Sequence, residues 1–387
     1  MQKRSIDYSL LIVTLMLVAY GLLMVFSSSY YMALTDAKNY GNDGLALFKK
    51  QLGGAALGIG AMILFMLVDY KKLMKLKYVF LAIAIIFLIL VLTPLGTELN
   101  GASRWIRVFN ISVQPLEIAK FSVVIFTAAT IYVNRNRMDT LRYGILPNLI
   151  VLGVVCGLLL LQPNFSGVIL LCVLVFIMIF VGGAKGWHLG VLGGAGGLAG
   201  FAVMMMKDYR IDRLVTFTDP WSYASDGGYQ VIQSLYGIGA GGIFGSGIGN
   251  GRQKYLWLPY GESDYIFSIT TEELGLIGAI VLIAMFIFFV YRGIKIAATA
   301  PDLFGTMLAT GITTIVGIQV IINIGVVTAT IPATGVPLPF VSYGNSSLVI
   351  FMAMVGILLN ISRQARRIAM PAAKPQTQAG QSEAVRG

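Results

Sequence analysis

The chain has 387 residues, 57% of them hydrophobic and 12% charged, with 28 Lys and Arg against 17 Asp and Glu. At a mean hydropathy of +0.81 this make-up excludes an ordinary soluble domain and points to a polytopic membrane protein. The net charge of +11 is spread over short segments between apolar runs rather than gathered on one basic face, so no nucleic-acid partner is expected.

Apolar runs long enough to span a bilayer recur about ten times, at 8–27, 52–68, 78–93, 113–133, 145–161, 166–181, 187–206, 264–291, 305–327 and 343–361. The expected fold is therefore an all-α polytopic membrane protein of about ten transmembrane helices. The fifth and sixth runs are separated only by Gln162-Pro163-Asn164-Phe165, and a re-entrant pair there is the alternative. The first run follows Lys3-Arg4 but has no good small-x-small cleavage site, which makes it an uncleaved helix and not a signal peptide.

Most Lys and Arg, including Lys71, Lys72, Lys75, Lys77, Arg135, Arg137, Arg142, Arg363, Arg366 and Arg367, fall on one side once the N-terminus is set inside. Positive-inside bias then puts both termini in the cytoplasm. Residues 1–367 form a single membrane domain whose one large extracytoplasmic loop, about 207–262, joins spans seven and eight. The tail 368–387, rich in Ala, Gln, Pro and Gly, is expected to be disordered and cytoplasmic.

In chain order, Gly54-x-x-x-Gly58 and the run Gly193, Gly194, Gly196, Gly197 and Gly200 fit close helix packing in lipid. Cys156 and Cys172 lie inside apolar runs as small hydrophobes. His188 is the only histidine, so a histidine-based zinc cluster or a Ser-His triad has no material. In the long loop, Val231, Ile232, Leu235 and Tyr236 share a helical face, as in a helix lying in the membrane surface. The glycine-rich stretch from Gly237 to Gly251 follows no strand and carries no phosphate-loop Gly-Lys-Ser/Thr, so a nucleotide site is not expected.

Four polar groups fall on the predicted outer side. Loop 94–112 carries Ser103-Arg104-Trp105-Ile106. The helix after it carries Gln114-Pro115-Leu116-Glu117-Ile118-Ala119-Lys120, in which Glu117 and Lys120 share one face and can neutralise one another. The same pair also fits a purely structural tie between helices. Leu258-Pro259 leads into Asp264-Tyr265-Ile266-Phe267, where polar loop becomes apolar helix, and an ionisable group there is a functional candidate. Were the helix to begin at Asp264, Ser268 and Thr271 would project within ~40° of it, Glu272 ~80° away and Glu273 opposite. The plain alternative for Asp264 is a carboxylate favoured by the helix dipole, worth ~0.3–1 kcal/mol. Last, the prolines of Pro337-Leu338-Pro339-Phe340-Val341-Ser342-Tyr343-Gly344 fix a rigid turn and free backbone groups to line a cavity.

These motifs, with Arg252-Gln253-Lys254 and Glu272-Glu273-Leu274-Gly275, resemble the SEDS family (FtsW, RodA, SpoVE) from about residue 8 to 366. Ala300-Pro301-Asp302-Leu303-Phe304-Gly305 and Asn323-Ile324-Gly325-Val326-Val327 are more similar to the FtsW/SpoVE branch. The resemblance implies a peptidoglycan glycosyltransferase that polymerises lipid II into glycan strands on the outer face of the bacterial cytoplasmic membrane. It further implies work alongside a class B penicillin-binding protein and other division or elongation proteins, with Asp264 as the catalytic general base. Arg104, Glu117, Lys120, Arg252, Lys254 and Ser342 are the expected substrate-binding residues. No organic cofactor is expected; the charge of the leaving pyrophosphate suits a divalent cation, Mg²⁺ or Mn²⁺. Two positions depart from the family pattern: Asn164 stands where an aspartate is usual, and Asn345 where a glycine is usual.

Two other function classes compete. A lipid II flippase or other transporter needs ionisable groups or broken helices near the midplane, whereas the charges here gather toward the outer rim. A non-catalytic division scaffold needs no buried carboxylate.

Overall fold

The computed structural model describes residues 6–99, 102–108, 111–206, 208–225 and 227–365. The tail expected at 368–387 lies outside the described residues. The chain forms α1 (Tyr8–Thr35), α2 (Ala37–Tyr40), α3 (Ala46–Leu67), α4 (Lys71–Lys75) and α5 (Lys77–Leu90). A ribbon of β1 (Gly96–Leu99), β2 (Ala102–Val108) and β3 (Ile111–Val113) follows. Next come α6 (Pro115–Val133), α7 (Leu146–Leu161), α8 (Phe165–Val181) and α9 (Gly186–Met205). The remainder is α10 (Asp208–Thr218), α11 (Tyr229–Gly241), α12 (Ile266–Ala298), α13 (Leu303–Val327) and α14 (Asn345–Gln364).

Each of the ten apolar runs contains one helix. Eight described helices are long and apolar enough to cross a membrane, while the third and sixth runs form the shorter α5 and α8. The all-α expectation needs one correction, because the loop before α6 is a three-stranded antiparallel sheet in the order β1-β2-β3. An irregular loop at a membrane rim must satisfy its backbone groups internally, and a small ladder does so.

The core is built around α6, α13 and α14, whose buried faces run nearly their full lengths. Helix starts follow local chemistry. Pro115 opens α6 with Glu117 in its first turn, Asp302 caps α13 by accepting from Gly305 N at 2.8 Å, and Asn164 caps α8 by accepting from Gly167 N at 3.1 Å. Asparagine thus serves the capping role as well as aspartate would, but brings no charge to this corner.

The glycine expectations divide. Gly54 and Gly58 do pack against α14, where added Cβ atoms would come within 3.0 Å of Asn345 Oδ1 and 2.5 Å of Met352 Sδ. The run on α9 does not: Gly194, Gly196, Gly197 and Gly200 have nothing within 4 Å of an added Cβ, and that helix is largely exposed. Helix α11 also differs from the surface helix expected. It packs on α12 through Ser234, Gly237 and Gly241 while Tyr236 is exposed, because its small residues admit the neighbouring backbone: a Cβ on Gly241 would lie 2.0 Å from Thr271 O.

The glycine-rich loop after α11 has a backbone task. At Gly275, φ is 66° and ψ −168°, which breaks α12 after two turns in a conformation that favours glycine. The groups freed there are taken up by the loop: Ser246 N and Gly247 N donate to Glu272 O and Glu273 O at 2.9 and 3.0 Å, and Leu276 N donates to Gly242 O at 2.9 Å. Without such a splice, buried amides and carbonyls at the break would go unpaired.

Candidate functional site

Asp264 lies outside the helix it was expected to begin. Helix α12 starts at Ile266, with Tyr265 at the cap position and no side-chain cap bond, so Asp264 stands one residue before the cap. The helical-face argument lapses, since Ser268 Oγ donates to Ser234 O and Thr271 Oγ1 to Phe267 O. The backbone of the Asp264 turn is held from three directions. Asn323 Nδ2 on α13 donates to Asp264 O and to Val336 O, each at 2.8 Å. Ser342 Oγ donates to Ser263 O at 2.6 Å while accepting from Leu338 N at 2.8 Å. Gln230 Nε2 on α11 donates to Pro259 O at 2.8 Å.

The half-buried Asp264 carboxylate rests against the 331–337 turn, where a Cβ on Gly335 would lie 3.3 Å from Oδ2. Burial pushes its pKa up to about 6, against the opposing pull of the Arg104 and Arg213 charges. Burial likewise raises the neighbouring Glu262. An acid poised near 6 is ionised at neutral pH, yet basic enough to take a proton in a transition state.

Residues 335–337 of that turn also line a crevice bounded by Arg104, Gln114, Leu116, Glu117, Lys120, Asn164, Ser166, Leu170 and Gln319, with a volume of about 20 Å³, room for about one water. Glu117 and Lys120, each 1% exposed, form the ion pair that their spacing predicts, at 2.6 Å. Lys120 Nζ also donates to Gln319 Oε1 at 2.9 Å and lies over the Phe351 ring, 4.9 Å from its centroid. Glu117 Oε2 takes no hydrogen bond from the described residues. A pair so deeply desolvated needs these extra contacts to hold both charges.

Arg104 reaches the crevice through a β-bulge. Thr97 pairs with Trp105 and Glu98 with Ser103, which leaves Arg104 as the extra residue of β2. A bulge turns such a side chain off the regular alternation, and here Nη2 donates to Pro163 O at 2.6 Å.

The structure does not bring all the expected residues together. Arg104, Glu117 and Lys120 line one crevice beside Asp264. Ser342 stands behind the Asp264 turn, with its hydroxyl committed to two backbone groups. Lys254 belongs to a second cluster: Nζ is 2.8 Å from Glu273 Oε1 and 3.2 Å from Ser27 Oγ, and Ser27 Oγ donates to Glu273 Oε2 at 2.6 Å. Arg252 is exposed, and its backbone N donates to Glu272 Oε1 at 2.7 Å. These contacts tie the glycine-rich loop to α1 and α12.

Four contributors were missed by the sequence reading. Gln319 and Asn323, four apart on α13, had a signal, since that spacing puts both amides on one helical face. The Arg104 bulge and the reach of Arg213, whose Nη1 donates to Ala333 O at 3.1 Å, had no local signal.

Ten apolar helical segments, a buried ion pair and a perturbed aspartate at one rim define a multi-pass membrane protein with a polar site beside a long loop. The chain belongs to the FtsW/RodA/SpoVE family of cell cycle proteins, which matches it over residues 8–367. It is 40% identical to Stage V sporulation protein E of Bacillus subtilis (strain 168), over 94% of this chain and 99% of that protein. It is also 40% identical to the "Probable peptidoglycan glycosyltransferase FtsW" of Trichlorobacter lovleyi, over 92% of this chain and 93% of that one. Among solved structures it resembles a chain of a peptidoglycan synthase complex that coordinates polymerization and crosslinking, with a TM-score of 0.76 and 29% identity over 94% of this chain and 99% of that chain. The rod shape determining protein RodA of Thermus thermophilus aligns with a TM-score of 0.67 and 25% identity, over 94% of this chain and 98% of that one.

Proposed function

We propose that this peptidoglycan glycosyltransferase polymerises lipid II on the outer face of the bacterial cytoplasmic membrane, with Asp264 as general base. The observation that carries the reading is the Asp264 carboxylate set against Gly335, on a turn held by Asn323 and Ser342 beside the crevice of Arg104 and Lys120; burial raises its pKa to about 6. Asp264 takes the proton from the acceptor sugar's hydroxyl as that oxygen attacks the donor's anomeric carbon. The anomeric carbon's bond to the pyrophosphate oxygen breaks, and its electron pair leaves with the lipid pyrophosphate. Arg104 suits the departing phosphate because its guanidinium binds bidentately. Lys120, kept in place by Glu117 and Gln319, adds charge where negative charge develops. Reaching Lys120 requires the walls of the crevice to part, and the bulged ribbon carrying Arg104 is the wall without a helical core.

Among the described residues no three His, Cys, Asp or Glu gather, so the chain offers no all-protein metal cage. A Mg²⁺ or Mn²⁺ shared with the pyrophosphate would need only one or two carboxylates, and the neighbouring Asp264 and Glu262 are the pair that would hold it. Arg104 and Lys120 are the chain's own cations for the leaving group. The outward placement of the site follows from positive-inside bias, with both termini cytoplasmic. A class B penicillin-binding protein is the proposed partner, because the similar synthase complex couples polymerization to crosslinking.

Purified protein in liposomes with labelled lipid II tests the reading. Glycan strands are expected. Headgroup translocation without strands would instead make it a flippase, and neither outcome would leave a scaffold.

A further inference from the structure

The 331–337 turn separates two spaces of different chemistry. Residues 335–337 line the Arg104–Lys120 crevice, while Ile331 and Ala333 line a second cavity beneath α10, bounded also by Asp212, Arg213, Thr216, Phe217, Gly227 and Val231. That cavity measures about 200 Å³ against about 20 Å³ for the crevice, which puts it on the scale of a sugar ring. The turn is pinned from both sides. Arg213 Nη1 donates to Ala333 O at 3.1 Å, and Ser166 Oγ donates to Thr334 O at 2.7 Å. Asp264 rests on the same turn at Gly335.

The linings differ in a way that sorts their ligands. The crevice carries net positive charge, Arg104 and Lys120 against Glu117, among the amides of Gln114, Asn164 and Gln319 and the Ser166 hydroxyl, with Leu116 and Leu170 completing its wall, a set that suits phosphate oxygens. The cavity pairs one carboxylate, Asp212, with one guanidinium and a threonine hydroxyl on apolar walls that include an aromatic ring. Such mixed walls suit a sugar, whose hydroxyls need both donors and acceptors and whose ring C–H faces need apolar surface.

We infer that the cavity beneath α10 is the subsite for the acceptor sugar, and that the 331–337 turn divides it from the crevice that takes the donor's pyrophosphate. This rests on the glycosyltransferase reading. The general base then sits at the partition, where an acceptor hydroxyl from one side meets an anomeric carbon from the other. The carboxylate feels both Arg104 and Arg213, as a group between the two spaces should.

The test uses the full chain in nanodiscs and two probes that each fill one role. A methyl glycoside of the lipid II disaccharide has no leaving group and can only accept. Lipid II with its attacking hydroxyl capped can only donate. Thr216→Trp, which fills the cavity, and Arg213→Gln, at an exposed position, are expected to weaken methyl glycoside binding tenfold or more by saturation-transfer NMR. Capped lipid II should bind both variants within twofold of wild type, and Arg213→Lys should recover part of the loss.

Unchanged glycoside binding in a variant with a wild-type unfolding midpoint would overturn the subsite, as would parallel loss of both probes. If Thr216→Trp fails to fold, Arg213→Gln decides. Both binding readouts are independent of turnover, so a wild-type protein that binds both probes but makes no strands would remove the enzymatic reading while leaving the two spaces assigned.

Discussion

Asp264→Asn should inactivate the protein and stabilise it at the same time. An aspartate whose pKa rises from 3.8 to about 6 carries its charge into the folded state at a cost of ~3 kcal/mol at neutral pH, at ~1.4 kcal/mol per tenfold change in proton affinity. Because the folded pKa lies above the unfolded one, the folded protein holds the proton more tightly. The stabilisation this gives is complete below about pH 4 and is lost as pH rises through about 6. Asparagine keeps the size of the side chain and has no charge to desolvate, so the variant avoids the cost. Thermal unfolding in nanodiscs from pH 3.5 to 8 should show Asp264→Asn above wild type at pH 7.5, with the gap closing toward about pH 4. Strand synthesis should fall ~10²-fold or more in the variant, and in wild type should fall about tenfold per pH unit below about 6. A variant less stable than wild type at pH 7.5 would refute the buried charge, and one that still makes strands would refute the base assignment.

Glu117→Ala strands the Lys120 ammonium and should cost ~3–5 kcal/mol; pairing Glu117→Gln with Lys120→Met should restore most of the unfolding midpoint but not strand synthesis. Arg104→Lys keeps the charge and loses the fork, so a lower rate at normal protein level is expected, and wild-type turnover would remove Arg104 from the leaving group. Asn323→Ala leaves Asp264 O and Val336 O without their shared donor, at ~1–3 kcal/mol for each carbonyl left unpaired; as a positioning residue it should also move the acid limb of the pH–rate profile, which a purely structural loss would leave in place. Cysteine at Ala224 should react with an impermeant label from outside and cysteine at Asp139 only from inside, and the reverse pattern would invert the topology.

Much of this protein was legible before its fold. Hydropathy marks the ten helical segments because a helix in lipid must be apolar along its own length, which is a local demand. The i,i+3 spacing of Glu117 and Lys120 predicts their pairing for the same reason, and the change from polar loop to apolar helix marks Asp264. The positions of Arg252, Lys254 and Ser342 were not legible. Lys254 finds Glu273 only because Gly275 breaks α12 and the glycine-rich loop fills the gap, and Ser342 turns inward to hold the Asp264 turn.

Sequence by itself determined the membrane class, the helical segments and the pairing of Glu117 with Lys120, all of which depend on residues within a turn or two of each other; Asp264 was singled out by its place at the end of a polar loop together with the family resemblance. Only the tertiary structure decided that Asp264 stands outside its helix, that a bulge aims Arg104 toward Pro163, that Arg213 crosses from α10 to Ala333, and that the 331–337 segment borders both the Arg104–Lys120 crevice and the cavity beneath α10. Those features arise where segments far apart in the chain satisfy one another's backbone groups. Neither periodicity nor composition along a single segment records which partner will supply the bond.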